Sequence, residues 1–186
     1  MNRFTATSLS LAGLYLIQRQ KLGDSRGFLT RLFCVEELRT VGWINSIAQL
    51  NHTLTIKRGT LRGLHFQHPP HGEMKLVSCL RGEVWDVAVD LRKGSPTFLQ
   101  WHAEILSEEN NRAMLIPRGF AHGFQTLSDN VEMLYCHTEA YRASFEGGVN
   151  FHDKKLEISW PLEVTELSPR DQNLPMLEDR FEGLVI

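Results

Sequence analysis

Cysteine is scarce in this chain: Cys34, Cys79 and Cys136 are the only three among 186 residues, an odd number with no Cys-x-x-Cys spacing. A disulfide-stapled miniprotein is excluded, and reduced thiols in a cytoplasmic protein are expected. Long apolar runs are missing as well. Leu14-Tyr15-Leu16-Ile17, the longest near the start, falls far short of the ~20 residues of a membrane-spanning helix, so no membrane partner is expected. Arg3 followed by Leu9 to Ile17 imitates a secretory leader, but Ser8, Ser10 and Gly13 dilute it. Gln18 to Lys21 supplies no small-residue cleavage site either. Basic excess is absent: 20 Lys and Arg against 22 Asp and Glu leave a formal charge of −2. That argues against nucleic acid as a partner and leaves room for one anionic ligand held by a few local cations. Repeats, low-complexity tracts and Pro/Ser linkers are also lacking, so residues 1–186 are read as one domain. With 42% apolar and 23% charged residues, wholesale disorder and collagen are excluded.

What is present is strand periodicity, dominant from about Gly27 to Thr138. Leu76–Leu80 is a short apolar run, and Gly82 separates it from Glu83–Leu91. In that second run Trp85, Val87, Val89 and Leu91 alternate with Val84, Asp86, Ala88 and Asp90, as side chains do across a pleat. Phe98–Leu106 and Val131–Thr138 alternate in the same way, the latter setting Val131, Met133, Tyr135 and His137 on one face. Turn punctuation lies between the runs at Lys93-Gly94-Ser95-Pro96, Pro117-Arg118-Gly119 and Ser128-Asp129-Asn130. Short strands at this spacing predict an all-β sandwich or barrel. Helical signal is thin: a two-turn helix over Cys34–Thr40, and an N-cap at Ser168 followed by Pro169.

Three places strain the reading of polar faces as merely solvated. In Arg62-Gly63-Leu64-His65-Phe66-Gln67, an extended backbone sends Leu64 and Phe66 one way and Gly63, His65 and Gln67 the other. Gly63 there would let backbone and ligand approach closely. Pro117-x-Gly119-x-x-His122-Gly123 sets a histidine just after a rigid turn, and Asp86 sits mid-strand between apolar neighbours. A buried carboxylate must be paired, and a backbone or histidine partner is the expected one for Asp86. A metal set of His65, His122 and Glu73 is disfavoured, because His65 and His68 at H-x-x-H spacing point to opposite faces of a strand. The remaining groups suit proton transfer on an anionic substrate. Arg26, Arg62, Lys75 and Arg170 are cations able to meet phosphate, and His65 is a candidate general base. Tyr135 is either a core tyrosine with a hydrogen bond or a proton donor in a dry pocket.

Seven ordered segments then carry a resemblance. They are Asp24-Ser25-Arg26-Gly27-Phe28, Leu61 to Gln67, Lys75-Leu76-Val77, Gly82 to Arg92, Ser95-Pro96-Thr97-Phe98, Ile116 to Phe124, and Leu134-Tyr135. Together, from about residue 14 to about residue 178, they resemble the dTDP-4-dehydrorhamnose 3,5-epimerases, metal-free cupin barrels of nucleotide-sugar biosynthesis. The resemblance implies an all-β cupin-type barrel or jelly roll, with short helices and an extension over about 160–186 packing on the barrel. It implies epimerisation, without a cofactor, at C3 and C5 of a nucleotide-diphospho-4-keto-6-deoxy sugar. His65 would be the base with Asp171 as its dyad partner, Lys75 would face the C4 oxygen, and Tyr135 would return the proton. Arg26, Gln49, Asn51, Arg62, His122, Glu146 and Arg170 match positions that grip nucleotide diphosphate or sugar. A homodimer with exchanged N-terminal strands is implied too.

Some positions depart from the family pattern. After the Arg26-Gly27-Phe28 segment, where Phe-x-Glu usually follows, this chain continues Leu29-Thr30-Arg31, so Arg31 replaces an acid. Cys136 replaces the lysine after the tyrosine, Arg170 replaces a lysine, and of a Tyr-Tyr pair only Tyr141 is kept. The competing readings are a C3-only epimerase on another nucleotide-linked 4-keto sugar, a metal-dependent cupin, and a non-catalytic sugar-binding barrel.

Overall fold

The computed structural model describes residues 2–186. Four short strands come first, β1 (Phe4–Ser8), β2 (Tyr15–Arg19), β3 (Lys21–Asp24) and β4 (Gly27–Thr30). One helical turn, α1 (Val35–Leu38), runs into a 3-10 turn at Arg39–Val41. Eight strands follow: β5 (Gln49–Thr55), β6 (Leu61–Gln67), β7 (Lys75–Arg81), β8 (Glu83–Asp90), β9 (Trp101–Ser107), β10 (Arg112–Ile116), β11 (Phe120–Thr126) and β12 (Val131–His137). β13 (Glu146–Gly148) and a second helical turn, α2 (Pro169–Gln172), come last. The strands form a six-stranded sheet in the order β1-β2-β10-β7-β12-β5 and a five-stranded sheet in the order β13-β6-β11-β8-β9. β3 and β4 pair apart as a hairpin. This is the cupin-type two-sheet barrel expected.

Alternation explains the layering. On β8, Val84 and Ala88 point into the core between the sheets, where they meet Val77 of β7, Met114 of β10 and Met133 of β12. Val87 and Val89 point outward and are covered by Leu156, Trp160, Leu177, Phe181 and Leu184 of the C-terminal segment. The outer face of the six-stranded sheet is covered by Leu38 and Trp43 after β4, which pack on Ile17, Leu76 and Cys136. Each sheet therefore buries apolar side chains on both of its faces, and a fully buried side chain of this kind contributes roughly 1.5–3 kcal/mol.

Two expected elements differ. The strand expected from Phe98 begins at Trp101, because Leu99 takes a left-handed φ of 61° in the turn before it. The two-turn helix over Cys34–Thr40 is a single α turn that tightens into 3-10 geometry and stops at Gly42, φ 95°.

Candidate active site

The apolar filling occupies only part of the space between the sheets. Along β12, Val131 and Met133 belong to the core and Tyr135 packs at its edge, while His137, two residues on, lines a cavity. Along β7, Val77 and Cys79 are core and Lys75 reaches the same cavity. The cavity measures about 1100 Å³ and is walled by β5, β7 and β12 on one side and by β6 and β11 on the other.

His65 faces it from β6, and its Nε2 lies 2.7 Å from Asp171 Oδ1. Asp171 is only 4% exposed. It arrives there through a local device legible in the sequence: Ser168 caps α2, its Oγ accepting from the Asp171 N–H at 3.0 Å, with Pro169 in the first turn. The Gly63 N–H donates to the second carboxylate oxygen at 3.3 Å. Burial alone would push the Asp171 carboxyl up, but His65, Gly63 and Arg170 outweigh it and hold the group below the usual carboxylate value. Gly63 serves a different purpose from the one expected. At φ 129° its Cα faces β11 so closely that a Cβ would lie 2.5 Å from Gly123 Cα. The glycine lets two strands, rather than strand and ligand, approach.

Lys75 and Glu73 form a buried pair at 3.1 Å, both less than one-tenth exposed. The Lys75 ammonium also donates to the His65 carbonyl at 3.1 Å, tying the two walls together. Glu73 further accepts from Gln67 Nε2 at 3.3 Å. Tyr135 stands on the six-stranded wall, opposite the sheet that carries His65. Burial pushes its phenol well above the ordinary value, and the Thr53 hydroxyl faces it without forming an aligned hydrogen bond. His122 is the direct cross-strand partner of His65, and its Nε2 meets Asp86 Oδ1 at 2.8 Å. Asp86 is fully buried and its Oδ2 has no partner. Burial raises the Asp86 carboxyl, against the pull of His122 and Lys75. The expected histidine partner for Asp86 is thus present. Among the described residues, no group of three or more His, Cys, Asp or Glu is arranged to hold a metal ion. His65, His122 and Glu73 each face a different protein group.

Of the other expected site residues, Gln49, Asn51, Arg62, Glu146 and Arg170 line the cavity. Arg62 Nε donates to Thr55 Oγ1 at 3.0 Å. Arg170 and Glu146 pair at 2.7 Å, and the Tyr141 hydroxyl donates to Glu146 at 3.2 Å. Arg26 is not in this cavity. It sits on the β3–β4 hairpin, 87% exposed and paired with Asp24 at 2.6 Å. Arg31, the residue in place of an acid, pairs with Glu37. Cys136, in place of a lysine, points the other way from Tyr135 and is buried against α1. Thr53 and His137 carried no expectation, although His137 shares the face of Tyr135 by its spacing. Glu73, weighed only as a metal ligand, is instead the counter-ion of Lys75.

A family model described as dTDP-4-dehydrorhamnose 3,5-epimerase matches residues 8–179. The protein of that name from Salmonella typhimurium is 43% identical over 173 residues, 91% of this chain and 93% of that protein. The crystal structure of dTDP-4-dehydrorhamnose 3,5-epimerase from Bacillus anthracis, with TDP and PPi bound, is similar with a TM-score of 0.90 at 41% identity, covering 94% of this chain and 99% of that one. The dTDP-6-deoxy-D-glucose-3,5-epimerase of Legionella pneumophila, in complex with dTDP-4-keto-L-rhamnose, gives 0.88 at 40% identity, covering 93% and 92%. Agreement of sequence and barrel over nearly the whole length places this chain in the dTDP-4-dehydrorhamnose 3,5-epimerase family.

Proposed function

We propose that this chain is a cofactor-free epimerase acting at C3 and C5 of a nucleotide-diphospho-4-keto-6-deoxy sugar, as dTDP-4-dehydrorhamnose 3,5-epimerases do. One observation carries the reading: a carboxylate-backed imidazole and a buried phenol occupy facing walls of one cavity, with a buried ammonium group tied to the imidazole's own strand. The C–H bonds at C3 and C5 are acidified by the C4 carbonyl. His65 takes a proton through the ring nitrogen that does not face Asp171, and the charged Asp171 stabilises the imidazolium that forms. Electron density moves to the C4 oxygen, where Lys75 supplies fixed positive charge as the enolate develops. Tyr135, kept protonated by burial, returns a proton to the opposite face and inverts the centre. His65 then loses its proton to solvent, Tyr135 regains one, and the second centre reacts likewise.

The test is turnover of dTDP-4-keto-6-deoxyglucose in heavy water, followed by NMR. Deuterium at both C3 and C5 is expected. Label at C3 alone would make the chain a C3 epimerase, and label at neither would overturn the reading for this substrate.

We further propose that the chain works in the cytoplasm as a homodimer. Arg26 lies outside its own cavity on a hairpin whose Phe28 and Leu29 are more than 60% exposed, so it reaches a ligand only across a subunit boundary. Light scattering that returned a single-chain mass would refute the dimer.

A further inference from the structure

One hydrogen-bond chain along the cavity wall has a direction that its first donor dictates. The backbone N–H of Tyr141 donates to Gln49 Oε1 at 2.8 Å. Gln49 must therefore present its NH2 to Asn51, whose Oδ1 accepts at 3.1 Å. Asn51 in turn directs its NH2 to Nε2 of His137, 3.5 Å away at the outer limit of hydrogen bonding. An amide NH2 donates only, so Nε2 carries a lone pair and the single ring hydrogen sits on Nδ1.

That Nδ1 has no hydrogen-bond partner among the described residues and is not one of the sealed, unpaired polar atoms of the interior. The ring lines the cavity. It lies two residues from Tyr135, the ring centroids 6.2 Å apart and the planes 25° from parallel, and it is the cross-strand partner of Lys75. Burial first, then the Lys75 ammonium, lower the His137 pKa to about 4 against the opposing effect of Glu73. At neutral pH the ring is an uncharged, oriented, single hydrogen-bond donor that the proton-transfer steps leave unused.

We propose that His137 is a sugar-positioning residue, its Nδ1–H donating to an oxygen of the bound 4-keto sugar beside Lys75 and Tyr135. The proposal rests on the reading of this cavity as the epimerase site. A neutral donor fixes an oxygen there without placing a second cation next to Lys75. It also links the sugar, through Asn51 and Gln49, to the backbone of Tyr141, so the wall and the segment before β13 are held in one register.

The experiment uses the whole protein in two arms. In the first, a long-range proton–nitrogen spectrum of wild type labelled with nitrogen-15 histidine, at about pH 7, reads the tautomer of His137. Nδ1–H is expected, with the Nδ1 signal moving when dTDP-4-keto-6-deoxyglucose binds to protein whose inversion step is blocked by Tyr135→Phe. An Nε2–H tautomer overturns the proposal, whatever the variants do. In the second, His137→Phe keeps a flat ring without the donor and should raise KM about five- to tenfold, the effect of one neutral hydrogen bond, with kcat changed less than twofold. His137→Asn, whose amide nitrogen can take the place of Nδ1, should recover most of that loss, while His137→Gln, which mimics Nε2, should not. Affinity for dTDP alone should stay within twofold in all three. An equal loss for dTDP would move the contact to the nucleotide and refute the sugar assignment. An unchanged KM in His137→Phe, with wild type exchanging deuterium normally, removes this inference alone. Failure of wild type to exchange removes the epimerase reading and the inference with it.

Discussion

Asp171→Asn changes one atom and should do two distinct kinds of damage. In the wild type the carboxylate only accepts, so His65 Nε2 must carry the hydrogen and its other nitrogen is free to act as base. The Gly63 N–H, a fixed donor, occupies the second oxygen. In the variant Gly63 claims the amide oxygen, which leaves the NH2 pointing at His65 Nε2. That contact favours the tautomer with its hydrogen on the wrong nitrogen, and the base is lost. The charge is lost as well. At an effective dielectric of about 20, unit charges roughly 4 Å apart interact by about 4 kcal/mol, of which about half is expressed with the proton half transferred. About 2 kcal/mol is roughly thirtyfold in rate. The tautomer preference, about one hydrogen bond, adds roughly tenfold. Asp171→Ala removes the charge but leaves the ring free to choose its tautomer. Initial rates of deuterium uptake at C3 should therefore fall about thirtyfold for Ala and about three-hundredfold for Asn. The ordering is diagnostic: an Asn variant as active as Ala, or either within threefold of wild type, refutes the dyad. The pH dependence of stability follows with a definite sign. Asp171 has a lower pKa in the folded chain than its ordinary 3.8, so its contribution is complete above that value and is lost as pH falls through the native pKa. The difference in Tm between wild type and Asp171→Asn should shrink between about pH 6 and about pH 3.

Three further outcomes are expected. Tyr135→Phe should lower inversion by at least ~100-fold while C3 deuterium exchange falls less, because the acid goes and the base remains; equal losses in NMR exchange and product assays would remove Tyr135 as the acid. Lys75→Met strands the buried Glu73 carboxylate and should cost ~3 kcal/mol, or roughly 6–12 °C in Tm. Adding Glu73→Gln should restore most of the melting temperature but none of the activity, and a double variant as unstable as the single would mean the pair is not coupled. Gly63→Ala places a methyl group 2.5 Å from Gly123 Cα at a φ of 129°, and should cost more than ~3 kcal/mol by calorimetry; an unchanged Tm would show that β6 and β11 do not approach so closely.

Legibility differed among elements for physical reasons. β7, β8 and β12 could be read because burial selects apolar side chains: β7 is buried over five consecutive residues and shows as an apolar run, while the pleat sends successive residues of β8 and β12 to opposite faces and shows as alternation. β1 and β3 could not: Phe-Thr-Ala-Thr-Ser and Lys-Leu-Gly-Asp are short and largely exposed, and their pairing partners rather than their pattern make them strands. The false start of β9 has a related cause. Leu99 and Trp101 both pack under the C-terminal segment, so the alternation runs straight through a turn whose backbone is not extended.

By itself the sequence determined which side chains share a strand face and where caps and turns fall, since these follow from the pleat and from single-residue dihedral preferences. It therefore set His65 beside Gln67, Tyr135 beside His137, and Ser168 as the cap of α2. Tertiary packing alone decided that Asp171 meets His65 across 106 residues of chain, that Asp86 meets His122 and Glu73 meets Lys75, and that Arg26 stays out of its own cavity. Those outcomes depend on the spacing of two sheets and the docking of a single helical turn, which are set by the summed packing of the whole core and leave no trace in any local window.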